Sequence, residues 1–160
     1  MKKIFFLFTF LIIYTISINA QKNDTKHLEL KWQESYEAAK SLATLQNKPI
    51  LIYFYQSDTC ALCKLMEKHF FETDKFKKIA KENFILFKAN FPGRLTDAVT
   101  PEQKIVNDML KVKFRPKNQH KSFPAIVIIN NKEKKLGSIR SYSYIQDNTN
   151  YFRFLESILN

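Results

Sequence analysis

Apolar positions along this chain fall into three kinds of block. The first is the run from Ile4 to Ile16, broken by polar residues only at Thr9 and Thr15. The second kind is short and apolar almost throughout. Residues 49–55 (Pro-Ile-Leu-Ile-Tyr-Phe-Tyr), Phe84-Ile85-Leu86-Phe87 within residues 83–90, and the Ala-Ile-Val-Ile-Ile core of residues 123–130 are of this kind. Such runs are too short for ordinary helices and show no polar face, as expected of strands buried on both sides. The third kind repeats every three to four positions, as amphipathic helices do. Residues 28–45 carry Trp32, Tyr36, Ala39, Leu42, Ala43 and Leu45 on one face before Gln46-Asn47-Lys48-Pro49 stops the pattern. Residues 64–71 follow, with Leu65, Met66 and His69-Phe70. Glu72-Thr73-Asp74 then marks a break with capping chemistry, ahead of a second helical piece at 75–81.

Phe91-Pro92-Gly93 ends the second strand, and Thr100-Pro101 has the cap-then-proline order of a helix start. The helix expected at 101–112 presents Ile105, Val106, Met109 and Leu110. Residues 113–122 read as a basic, polar loop. A fourth strand is expected at 134–140 after a turn at Asn130-Asn131. A last helix at 149–159 places Tyr151, Phe152, Leu155, Ile158 and Leu159 on its buried side. Strands alternating with helices, then a hairpin and a helix, predict a mixed sheet of about four strands flanked by helices on both faces.

The first block changes the picture of where the chain works. Lys2 and Lys3, the apolar run and the small residue Ala20 read as a secretory signal over residues 1–20. The run is short for a bilayer-spanning anchor, and no cysteine follows it directly, which excludes lipoprotein processing. Residues 21–27 are polar and expected to be flexible, and residues 28–160 form one domain. An exported product, periplasmic or beyond, is therefore expected, with no stable membrane insertion after cleavage.

Charge changes it less. The chain carries 26 basic and 15 acidic residues, a formal +11. The lysines are spread over every amphipathic segment and no aromatic-basic RNA motif is present, so nucleic-acid binding is not expected. With only two glycines, turns at positive φ must use other residues, Asn130-Asn131 and Asp147-Asn148 being the candidates.

Candidate chemistry concentrates in one place. Cys60 and Cys63, the only cysteines, stand in C-x-x-C spacing where the strand at 49–55 gives way to a helix. A helix start offers unpaired N–H groups and a positive dipole end, which stabilise the reactive thiolate. Cys60, at the cap or first turn, is the expected nucleophile, and Cys63, one turn on, the buried resolving thiol. Three other readings stand beside redox chemistry. Half a zinc site would have to recruit histidines such as His69 and His120. A structural disulfide would close too small a ring to restrict the unfolded chain much. Two inert buried thiols are the third. C-x-x-C after a strand favours the redox reading.

From Trp32 to about Leu159 the chain resembles the thioredoxin superfamily, in particular its exported single-domain members. The resemblance rests on Asn47-Lys48-Pro49-Ile50-Leu51, on Ser57-Asp58-Thr59-Cys60-Ala61-Leu62-Cys63-Lys64-Leu65-Met66, on Phe84 through Pro92, and on Phe123-Pro124-Ala125-Ile126-Val127-Ile128-Ile129. It implies an α/β thioredoxin-like fold, catalytic Cys60 and Cys63, and a cis bond before Pro124. It also implies a substrate-binding surface at Phe123, Pro124 and Thr59. Thr59 replaces the family's common tryptophan, and Phe54 stands where many members carry a buried acid. Residues 115–121 look like an insertion before the cis-proline. If so, the charges of Lys111, Lys113, Arg115, Lys117, His120 and Lys121 flank the site.

The function implied is exported thiol-disulfide exchange with protein substrates, by a monomer recharged by a separate redox partner. No organic cofactor or metal is implied. The alternative is a thioredoxin-fold client-binding or assembly factor with little general turnover. A copper-handling protein is a third reading, for which no third ligand is well placed.

Overall fold

The structure, a computed structural model, describes residues 29–94 and 98–160. The expectations for residues 1–20 and 21–27 lie outside the described residues. Strand β1 (Trp32–Gln33) leads into helix α1 (Tyr36–Gln46), then β2 (Ile50–Tyr55). Helix α2 (Ala61–Met66) runs on into a π-helical turn (Glu67–Phe71) and is followed by α3 (Asp74–Asn83) and β3 (Ile85–Asn90). Helix α4 (Pro101–Phe114), a 3₁₀ turn (Lys117–Gln119), β4 (Ala125–Ile129), β5 (Lys135–Arg140) and α5 (Thr149–Leu159) complete the chain.

The five strands form one sheet in the order β1-β3-β2-β4-β5. β3 runs parallel to both β1 and β2, while β4 is antiparallel to β2 and β5 to β4. Alternation along β2 assigns its two faces. Leu51 and Tyr53 point to the layer of α2, α3 and α5. Ile50, Ile52 and Phe54 point to the layer of α1 and α4. Every residue from Ile50 to Phe54 is buried, so an apolar strand at the centre is what the packing requires. Full burial of each such side chain contributes roughly 1.5–3 kcal/mol.

Several expectations are corrected. The expected mixed sheet with helices on both faces is present and has five strands among the described residues; the correction is to Trp32, which lies in the edge strand β1 and not in a helix. Ser35 explains the boundary: its extended backbone and its Oγ, which accepts from the Ala38 N–H at 3.1 Å, start the helix at Tyr36, four residues after Trp32. Leu45 and Ile105, expected on buried faces, are 80% and 70% exposed, and Met109 and Leu159 are exposed as well. On α4 the buried positions are Asn107, Leu110 and Phe114, spaced to meet the sheet. Thr100 caps α4 as expected and forms a reciprocal pair with Gln103.

Among the described residues the non-glycine positive-φ positions are Asn47, Glu133, Ser141 and Gln146, not Asn130-Asn131 or Asp147-Asn148 as expected. Asn130 instead uses its Oδ1 to accept from the N–H groups of Lys132 and Lys134, which leaves the left-handed position to Glu133.

Candidate redox site

β2 ends at Tyr55, and the chain bends through residues 56–59 before entering α2. Two side chains hold this bend. Asn90, at the end of β3, accepts from the Ser57 N–H at 3.0 Å and donates to the Ser57 Oγ. The Asp58 carboxylate accepts from the N–H groups of Gly93 and Arg94 at 2.8 and 2.6 Å. Gly93 lets this approach be close: a Cβ there would lie 2.5 Å from the Thr59 Oγ1 and would push that exposed side chain aside. Thr59 itself is exposed, directly before Cys60.

Cys60 is the N-cap of α2 and is joined to Cys63 by a disulfide of 2.06 Å. The Cys60 Sγ accepts from the Cys63 N–H at 3.0 Å. A helix-start N–H thus already points at the sulfur that would carry charge after reduction. Exposure divides the pair: Cys63 is 1% exposed, whereas Cys60 is only partly covered.

Beneath Cys63 lies a hydroxyl that an apolar reading of β2 passed over. Tyr53 Oη donates to the Cys63 carbonyl at 3.2 Å, and its ring stacks on Tyr55 with centroids 5.0 Å apart. Burial, then the nearby Glu67 carboxylate, pushes the phenols of both tyrosines up, so both stay neutral donors. Glu67 pairs with Lys88 at 2.6 Å, and the ammonium lies 5.0 Å from the Trp32 ring centre. The signal was in the sequence: two tyrosines two apart in a strand otherwise made of Ile, Leu and Phe.

The other wall is the segment before β4. The Phe123–Pro124 peptide is cis, as the resemblance implied. The antiparallel register that pairs Phe54 with Ala125 places Pro124 across from Tyr55, at the sheet end where Cys60 emerges. Phe123 stacks on Phe91 at 5.4 Å, and Phe91 stacks on Phe54 at 6.1 Å. The position expected of a buried acid is thus the base of an aromatic column.

The expected basic flank does not exist as one cluster. Lys111 and Lys113 belong to α4, because that helix continues to Phe114. Lys111 pairs with Asp108, and Lys113 reaches Glu133 at 2.7 Å. Arg115 is 5% exposed, with its guanidinium 5.1 Å from the centre of the Phe54 ring and 5.2 Å from that of Phe123. Its Nη2 donates to the carbonyls of Gln119 and Ser122. The His120 Nε2 lies 2.9 Å from the Arg115 carbonyl, and Lys117 and Lys121 alone of the cluster's lysines are exposed with no ion pair among the described residues. The segment folds back on one buried cation, so it presents no uniform charged surface.

The model of a thioredoxin-like family matches residues 31–131. Among curated proteins, the disulfide bond reductase DsbH of Chlamydia pneumoniae is 29% identical over 107 residues, covering 67% of this chain and 60% of that protein. The chain therefore spans less than two thirds of the length of this relative. Among solved structures, a DsbH oxidoreductase superposes with a TM-score of 0.66 at 25% identity, covering 82% of this chain and 85% of that one. A thioredoxin from Thermus thermophilus shares the fold, with a TM-score of 0.57 at 17% identity over 81% of this chain and 87% of that one.

Proposed function

The chain belongs to the thioredoxin-like family, and from that premise we propose that it is an exported thiol-disulfide oxidoreductase acting on other proteins through Cys60 and Cys63. The observation that carries the reading is the asymmetric disulfide itself. One sulfur sits at a helix cap, partly exposed and already accepting an N–H, while its partner is buried. The likeness to a protein named a disulfide bond reductase supports the reductive direction.

In that direction a dithiol donor first reduces the Cys60–Cys63 bond. The Cys60 thiolate then attacks one sulfur of a client disulfide, forming a mixed disulfide and expelling a client thiolate. The Cys63 thiolate attacks the Cys60 sulfur next, which releases the second client thiolate and restores the Cys60–Cys63 disulfide. Two electrons pass to the client, and the donor supplies them again. The N–H of Cys63 favours the Cys60 thiolate, and Tyr53 Oη steadies the turn carrying Cys63. Phe123, Pro124 and Thr59 form the surface on which the client chain lies. Residues 1–20 direct export, and the mature protein begins near Gln21 as a monomer.

The test is turnover of a disulfide-bonded model protein with dithiothreitol as donor. Cys60→Ser is expected to reduce turnover to the uncatalysed background. Cys63→Ser is expected to accumulate a mixed disulfide, visible as a higher-mass band without reductant. Wild-type protein that binds clients without turnover would instead mark a binding or assembly factor. Intact-mass measurement of the exported protein checks the start at Gln21; retention of residues 1–20 in a membrane fraction would mean an anchor.

A further inference from the structure

A cavity of about 120 Å³ lies between the segment after α4 and the β4–β5 edge of the sheet. Pro116 and Gln119 form one wall, and Ala125 and Val127 of β4 form another. Lys135, Ser138 and Arg140 of β5 close it, and Arg115 lines it from within. Three of these groups are cations, and no carboxylate is among the lining residues. None of the three forms an ion pair among the described residues.

Arg115 is held in place before any ligand arrives. Its guanidinium carbon lies close over the rings of Phe54 and Phe123, its Nη2 is engaged by two carbonyls, and its Nη1 is buried with no hydrogen-bond partner among the described residues. Lys135 is anchored too, donating to the Phe114 carbonyl at 2.9 Å. A buried donor left unpaired, beside two like charges, is costly. Preorganised cations around a small space are what an anion-binding site requires.

We propose that this cavity binds one small oxyanion of the phosphate or sulfate class, held by Arg115, Lys135 and Arg140 with Ser138 as a further donor. The volume accommodates this class. It equals the share of about four water molecules, while ligands of nucleotide size occupy pockets of roughly 300 Å³ or more. The electrostatics agree. The Arg115 guanidinium is pulled down to about 10 by burial and by Arg140, and Lys135 is lowered by burial and by Arg115. An anion among them offsets that mutual repulsion. Because Arg115 also grips the Ser122 carbonyl, an occupied cavity steadies the segment leading into Phe123-Pro124.

Thermal unfolding of the purified protein tests the site, with phosphate, sulfate and, at matched ionic strength, chloride as probes. Phosphate and sulfate are expected to raise Tm saturably at millimolar concentration, beyond the chloride control. Lys135→Ser with Arg140→Ser removes two of the three cations and is expected to raise the midpoint of that response at least about tenfold. Ser138→Glu places a carboxylate among the cations. It is expected to raise Tm without added anion and to abolish the response. Cys60→Ser is expected to respond as the parent does, which separates this site from the redox reading. A linear, unsaturating rise equal in all variants would be a general salt effect and would overturn the proposal. So would no rise beyond chloride, or a saturable rise unchanged by both sets of substitutions.

Discussion

The two ends of β4 each hold a charged group, and the two are treated in opposite ways. Past Ile129, the Glu133 carboxylate accepts from Tyr36 Oη at 2.7 Å and pairs with Lys40 and Lys113 at 3.1 and 2.7 Å. Lys113 first, then Tyr36, draws its acid down to about 2. Before Ala125, Arg115 has ring faces and carbonyls but no counter-charge among the described residues, and burial draws its base down to about 10. The signs differ in consequence. A depressed carboxylate contributes stability that is present above its unfolded value and lost as pH falls toward 2. A depressed guanidinium costs stability throughout the neutral range, a cost relieved only as pH rises above about 10. The molecule is thus fastened at the end away from the cysteines and carries an uncompensated charge beside the segment that faces them. Such tolerance of cost next to a reactive group is common at functional sites.

Substitutions can break this contrast. Glu133→Gln is expected to have the largest effect, about 1–2 kcal/mol at pH 7 after allowance for its partial exposure. Urea unfolding from pH 7 to pH 2 should show the parent losing stability between about 5 and 2, and the variant following a flatter curve. Equal slopes would remove Glu133 as the fastening group. Tyr36→Phe deletes one hydrogen bond to the same carboxylate and is expected to cost about 1 kcal/mol.

Arg115→Met should change stability least, by less than about 1 kcal/mol in either direction, because an apolar side chain replaces a desolvated charge. Its signature is local: the carbonyls of Gln119 and Ser122 lose their donor, and the segment should become open to limited proteolysis. A loss larger than that of Glu133→Gln would invert the comparison.

Much of this was legible in the sequence. The apolar runs gave β2, β3 and β4 because a central strand must be apolar on both faces, and Pro101 and Thr100 fixed the start of α4. The Cys60–Cys63 spacing pointed to the site, and the structure places Cys60 at the helix cap and Pro124 at the same end of the sheet. What could not be read depended on the third dimension. Trp32 fitted a helical period and an edge strand equally well, and only the Ser35 cap decided between them. Arg115 counted as one more basic residue in a polar loop, since nothing local says that an arginine will lie between Phe54 and Phe123, 61 residues back and 8 ahead in the numbering of the chain. The lashings at Asn90 and Asp58 join segments more than thirty residues apart, beyond the reach of any local pattern.

The π turn after α2 makes the cysteine helix a latch hinged on one side. Its wider winding sends Phe70 and Phe71 together into the aromatic layer, where they meet Phe76, Tyr151 and Tyr53. Cys63 and Met66, on the turns just before, are sealed against that layer. Cys63 is therefore walled in, and the side of the pair that solvent reaches is Cys60. That side is tethered through Asn90, Gly93 and Arg94 to a neighbouring strand end. The latch is thus seated in rings behind and lashed by hydrogen bonds in front, with Cys60 the sulfur on its accessible edge.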